Sequence, residues 1–87
     1  FVNHIHPAAS LMEEARKLAA HLASGPPLVF ACIKEIVREA EDMTFQDAMN
    51  RITKRQFETV DRLYSSEDNK EGYTAFAEGR DPVWKGR

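Results

Sequence analysis

Between Thr44 and Tyr64 the apolar residues hold a helical period longer than anywhere else in the chain, and that run limits what the rest can do. Phe45, Ala48, Met49, Ile52, Val60, Leu63 and Tyr64 recur mostly three or four apart, with Phe57 on the same broad face. Gln46, Asp47, Asn50, Lys54, Arg55, Glu58 and Asp61 fall mainly elsewhere. The spacing predicts one amphipathic helix over 44–64. At about 1.5 Å per residue it would run roughly 30 Å, so shorter helices before and after it must use it as a common wall. Thr44, with Asp47 three residues on, is an N-cap whose hydroxyl accepts a backbone N–H while the carboxylate meets the positive helix end. Ser65 and Ser66 close the run and offer the next cap.

The flanking segments read as helices with their own punctuation. Ser10 and Glu13 have capping-box spacing, and Leu11, Ala15, Leu18 and Leu22 form the stripe that follows. Gly25 can take the left-handed conformation that ends a helix, and Pro26-Pro27 cannot continue the ladder, so this helix stops near Ser24. Pro27 suits the first position of the next helix, Leu28 to Glu41, because its missing N–H is not needed there. That helix is apolar nearly all round from Leu28 to Ile33, which predicts burial at one end and places Cys32 in a core rather than in a reactive site. After Ser66 a last helix carries Tyr73, Phe76 and Ala77. Gly72 inside it costs roughly 1 kcal/mol relative to Ala, so its small size implies a close approach by another group. Gly79 ends that helix, and Asp81-Pro82 gives an extended exit. The fold class is therefore all-α: one domain, 1–87, of about four helices packed at steep angles as a small orthogonal bundle.

Composition narrows the partners. A chain of 87 residues hides only a little over ~60% of its unfolded surface, so its core is thin and invites a covering partner. Twelve basic and fourteen acidic residues, net −2, supply no field for gathering nucleic acid. The lone Cys32 cannot form an internal disulfide, and there is no long apolar run for a membrane, so the expected setting is cytoplasmic. His4 and His6 could make half of a zinc site, but no third ligand follows at metal spacing, and the expectation is no metal. Phe1-Val2-Asn3-His4-Ile5-His6 has the look of a strand end whose partners lie upstream, and with Phe1 rather than Met at the start the chain is expected to be a piece of something longer.

The segment Ser66-Glu67-Asp68-Asn69-Lys70-Glu71-Gly72-Tyr73-Thr74-Ala75-Phe76-Ala77-Glu78-Gly79-Arg80-Asp81-Pro82-Val83-Trp84 follows the pattern S-E-D-x-x-E-G-x-x-A-F-x-E-x-R-x-P-x-[WF] and resembles the C-terminal end of the enoyl-CoA hydratase/isomerase (crotonase) family. Phe1-Val2-Asn3 is similar to the end of that family's G-L-V-N segment, and Pro26-Pro27-Leu28 to its turn between helices. The ending Arg80 to Arg87 is similar to members that hydrate or dehydrate carnitinyl-type CoA thioesters. The resemblance implies a lyase of fatty acid metabolism built as an upstream ββα-spiral core followed by this helical segment, which packs over the active site and joins trimers, or dimers of trimers. It implies an acyl-CoA substrate, with coenzyme A part of that substrate and no separate cofactor.

No residue of this chain matches the family's oxyanion hole or its acid and base, so no catalytic residue is assigned and the segment is expected to be inactive alone. Glu67, Glu71 and Glu78 read as capping and solvated helix surface. Where the family often has E-K-R, with a lysine reaching the nucleotide end of CoA, this chain has Glu78-Gly79-Arg80. Arg80 and Lys85 are the cations able to replace that lysine, and Phe76 is a candidate wall of the groove; these three are the CoA-binding candidates. The competing reading is a free-standing helical module that pairs with itself or with a protein partner, motivated by the thin core and by the run Leu28 to Ile33.

Overall fold

A computed structural model describes all residues, 1–87, and consists of helices and connecting turns. The helices are α1 (Leu11–Ala23), α2 (Pro27–Ala40), α3 (Phe45–Thr53), α4 (Glu58–Tyr64) and α5 (Glu67–Glu78). Residues 80–87 run back along α5 without secondary structure of their own, and residues 1–6 form no strand.

The single helix expected over 44–64 is two helices. Thr44 caps α3 as expected, accepting the Asp47 N–H at 3.2 Å. After Lys54 the chain turns through Arg55, whose φ of 53° is left-handed. Two hydrogen bonds lock the turn: Gln56 N–H to Arg51 O at 2.9 Å, and Arg55 N–H to Ile52 O at 3.0 Å. This pair is the Schellman arrangement normally closed by glycine. The break lets Phe57 point inward ahead of α4, where it is 1% exposed, against Cys32 and Val60. The Arg51 guanidinium lies 4.3 Å above its ring. Breaking the helix also frees the first N–H groups of α4, and Phe57 has no side-chain cap to offer them. Glu35 of α2 takes that place, accepting the Thr59 N–H at 3.0 Å and the Thr59 hydroxyl as well. A straight helix would have satisfied its own ladder but carried Phe57 past the α2 groove. Burying such a side chain stabilises by about 1.5–3 kcal/mol, enough to outweigh one left-handed residue.

Two further expectations at helix ends are corrected. Ser10 does not cap α1: its hydroxyl donates to Pro7 O at 3.2 Å, because the preceding turn already holds it in a helical conformation. Gly25 is not left-handed. Its small size is needed for space, since a Cβ there would sit 2.5 Å from Phe30 Cζ. Pro27 at the start of α2, Ser66 capping α5 through the Asn69 N–H at 3.0 Å, and left-handed Gly79 (φ 66°) at the end of α5 are as read from the sequence.

The core is small. Only 7 of 87 residues are buried, with Cys32, Phe57 and Val60 at the centre and Ile36, Met43, Ile52 and Leu63 around them. Helix α1 contributes no buried residue, and Leu11, Leu18 and Leu22 of its stripe are each more than half exposed. The molecule is a slab of 48 × 38 × 19 Å with a radius of gyration of 16.5 Å, where a compact domain of this length has about 12 Å. Its accessible surface is 7224 Å², against about 5,200 Å² for a compact monomer of this mass.

Candidate functional site

Helix α5 and the strand-like residues 80–87, here called the strap, gather the three sequence candidates, and they do so on two sides. The local chemistry begins with the αL residue Gly79, which reverses the chain through Arg80 N–H to Ala75 O (3.1 Å) and Gly79 N–H to Phe76 O (3.3 Å). The reversal sends the strap back over the α5 face bearing Asp68, Glu71 and Gly72. Those positions are three and four apart, so they share a face.

Asp68 is 3% exposed, yet each of its carboxylate oxygens has a partner: Oδ1 accepts the Lys85 N–H at 2.7 Å and Oδ2 the Gly86 N–H at 2.8 Å. Its own N–H donates to Arg87 O at 3.0 Å. One turn later Glu71 accepts the Val83 N–H at 2.8 Å and a forked pair from Arg80, Nη1 at 2.6 Å and Nη2 at 2.9 Å. The Arg80 guanidinium, then the Val83 N–H, hold the Glu71 carboxyl well below its ordinary value, at about 2. Arg80 is pushed upward in turn, by Glu71 first and Glu78 second. Its Nε lies 2.6 Å from Glu78 Oε2, so little of its donor set is free. Gly72 has the neighbour its size implied: a Cβ there would meet Trp84 Cη2 at 3.4 Å.

The strap thus separates a charged groove from an apolar slot. The groove, about 600 Å³, is lined by Glu67, Asp68, Lys70, Glu71, Thr74, Arg80, Val83 and Lys85. The slot, about 510 Å³, is lined by Pro26, Leu28, Val29, Leu63, Tyr73, Phe76 and Trp84, with Asp68, Asn69 and Gly72. Arg80 and Lys85 are brought together in the groove, whereas Phe76, 91% exposed, belongs to the slot. The Lys85 ammonium is 3.4 Å from Glu67 and half exposed, which leaves it more available to an anion than Arg80.

Glu67 and Glu78 are exposed and ion-paired, as a solvated face should be, but Glu71 is a structural acceptor for the strap and not mere helix surface. The sequence pattern alone does not single out Asp68. The available signal was its spacing to Glu71 and Gly72 on one face, ahead of a glycine and a proline-bearing tail with unpaired N–H groups. The Arg80 pairing that holds Glu71 low makes it a weaker proton acceptor than an ordinary carboxylate. His4 and His6 lie with ring centres 6.0 Å apart, and no group of three or more His, Cys, Asp or Glu side chains is gathered at metal-binding spacing. No helix is long and apolar enough to cross a membrane.

Comparison with known proteins adds the following. The family model described as enoyl-CoA hydratase/isomerase matches residues 1–87. A carnitinyl-CoA dehydratase of Escherichia coli (strain SMS-3-5) is 43% identical over 86 residues, covering 99% of this chain and 33% of the relative. The carnitinyl-CoA dehydratase of Salmonella heidelberg is 42% identical over the same length. Among solved structures, an enoyl-CoA hydratase subunit I from Geobacillus kaustophilus superposes with a TM-score of 0.83 at 40% identity, covering 99% of this chain and 32% of that one. The chain therefore spans about a third of the length of the relatives it matches.

Proposed function

The chain belongs to the enoyl-CoA hydratase/isomerase family, and from that premise we propose that these residues are the helical covering and assembly segment of an acyl-CoA hydratase or isomerase whose chemistry lies elsewhere in the protein. One observation carries the reading. The accessible surface exceeds that of a compact monomer by about 2,000 Å², and the exposed large apolar residues include a stripe on α1, where Leu11, Met12, Leu18 and Leu22 are all more than half exposed. A standard protein interface removes about 800 Å² from each partner. A slab 19 Å thick with that much uncovered carbon suits a cover laid over a larger body and against neighbouring copies.

In the same proposal the groove serves the nucleotide end of the CoA thioester, with Lys85 the more available cation and Arg80 reaching an anion only by giving up Glu71 or Glu78. Phe76 serves as a wall for the thioester's apolar portion. Coenzyme A arrives as part of the substrate, no separate cofactor is used, and the setting is cytoplasmic. Catalytic groups are assigned to none of these residues.

The test compares the 87-residue chain with the full-length protein, using crotonyl-CoA and a carnitinyl-type CoA thioester. Turnover by the full-length protein and none by the short chain is expected. Metal-independent hydration by the short chain alone would overturn the division of labour. The alternative, a free-standing self-association module, predicts defined oligomers of the short chain by light scattering across a dilution series and no CoA-thioester activity in the longer protein.

A further inference from the structure

We infer that residues 80–87 form a hinged strap that docks and releases about Gly79, with Asp68 and Glu71 as its latch and the Trp84 ring as the removable wall of the apolar slot. The inference stands on geometry and not on the family reading. The strap has no secondary structure, and its one internal hydrogen bond, Arg80 Nη1 to Asp81 O at 3.1 Å, joins adjacent residues. Its position is set from outside, first by two carboxylates one helical turn apart that accept three of its backbone N–H groups, Val83 to Glu71 and Lys85 and Gly86 to Asp68, and then by two donors to its last carbonyls, the Asp68 N–H to Arg87 O and Arg62 to Gly86 O.

Two acceptor side chains on one helix face recognise an extended peptide by its N–H spacing, much as an added strand is recognised by a sheet edge. That fixes register, and register decides which side chain meets Gly72. Only at this register does Trp84 lie on the glycine, 3.4 Å from where a Cβ would stand. A slip of one residue would turn the indole away and remove one wall of the slot. The pivot is equally defined. Gly79 is left-handed with nothing within 4 Å of its Cβ position, and as glycine it has a wide range of backbone angles open to it.

Asp68 is a positioning residue in this scheme. A buried carboxylate is costly unless it is hydrogen-bonded, and here the strap supplies the donor to each oxygen. Undocking leaves Asp68 to water, and docking excludes water from it, so the strap closes as a whole or not at all. Releasing Arg80 from Glu71 would also free the guanidinium into the charged groove, so opening the slot and baring a cation on the other side of the strap are one event.

Trp84 is the only tryptophan, so its emission reports the strap directly. Asp68→Asn puts a donor where an acceptor is needed, without changing size. In the full chain it should shift Trp84 emission to longer wavelength and raise acrylamide quenching while far-UV dichroism stays helical. The resonances of Leu28 and Val29 in the slot should move as the indole leaves. Protection of the Lys85 and Gly86 amides should fall by roughly tenfold to a hundredfold, the loss expected for a hydrogen bond to a charged acceptor. Unchanged emission, quenching and protection in a folded Asp68→Asn chain would overturn the latch. Should that variant lose its helices, Glu71→Gln with the same readouts decides, together with amide exchange in the unaltered chain. There, fast exchange at Val83, Lys85 and Gly86 would overturn the proposal on its own.

Discussion

Around Phe57 the chain buries carbon, and around Asp68 it buries a carboxylate. In the first region Cys32, Phe57 and Val60 are closed in by Ile36, Met43, Ile52 and Leu63, and a polar group, Glu35, works only at the edge to cap α4. In the second, Trp84 packs on Gly72 and Gly86 comes close to Pro27, while the path of the backbone is dictated by hydrogen bonds to Asp68 and Glu71. Area burial is indifferent to register and weakly sensitive to pH, whereas hydrogen bonds to charged acceptors fix register and depend on proton and salt. The two regions should therefore fail under different stresses.

The largest expected effect breaks the first region alone. Phe57→Ala should cost about 3–5 kcal/mol, enough to unfold much of so small a domain, as read by urea titration of the far-UV signal. A loss below about 1 kcal/mol would mean that the cluster is not the core.

Acid should act on the second region first. The Glu71 carboxyl ionises at about 2 with the strap docked and at its ordinary 4.5 when free. A depressed folded value stabilises the docked form above 4.5 and loses that support as pH falls from about 4.5 toward 2. Arg80 and Lys85 are the cations that face Glu71, and Arg80, pushed upward by that carboxylate, keeps its charge throughout this range. Trp84 emission should move to longer wavelength across the window, and Glu71→Gln should flatten the response. Glu35 is also held below its ordinary value, by the Thr59 hydroxyl and then the Thr59 N–H, so the α2–α4 clamp weakens in acid as well. A strap transition identical in Glu71→Gln would erase the distinction between the regions.

The α3–α4 turn should reverse the usual order of alanine and glycine. Arg55→Gly should be more stable than Arg55→Ala by about 1 kcal/mol, because only glycine takes φ of 53° without cost. In a continuous helix Ala would win by about the same amount. Both variants lose the stacking of Arg55 over Tyr64, at 4.5 Å, so that contribution cancels.

The smallest effect belongs to α1. Leu18→Ala, at a site 56% exposed, should change stability of the isolated chain by under about 0.5 kcal/mol. In the full-length protein the same substitution should cost several times more if the α1 stripe is covered there. Equal costs in both settings would count against the covering role.

Legibility differed between the regions for reasons visible in single residues. The helix signals at Thr44, Pro27, Ser66 and Gly79 are local, since a cap or a left-handed glycine acts on its own turn, and each stands where the sequence puts it. Gly72 announced a close neighbour without saying which. Gly79 and Arg55 close the same Schellman motif, yet only the glycine can be recognised, because nothing in an arginine's chemistry favours a left-handed backbone. Of the candidate ligand residues, Arg80 and Lys85 do share a groove. That Phe76 faces a separate slot could not be read without the path of the strap.

By itself the sequence determined an all-helical chain, most of its helix ends, and an excess of apolar surface over what its own length can bury. Periodicity, capping and composition act within a few residues and need no knowledge of distant partners. The tertiary structure alone decided that the longest apolar run bends at Arg55 and that Asp68 and Glu71 serve the tail. Both outcomes depend on a competition between a local ladder and a distant site, the α2 groove for Phe57 and the α5 face for the strap, and a distant site enters the balance only once the chain has folded back upon it.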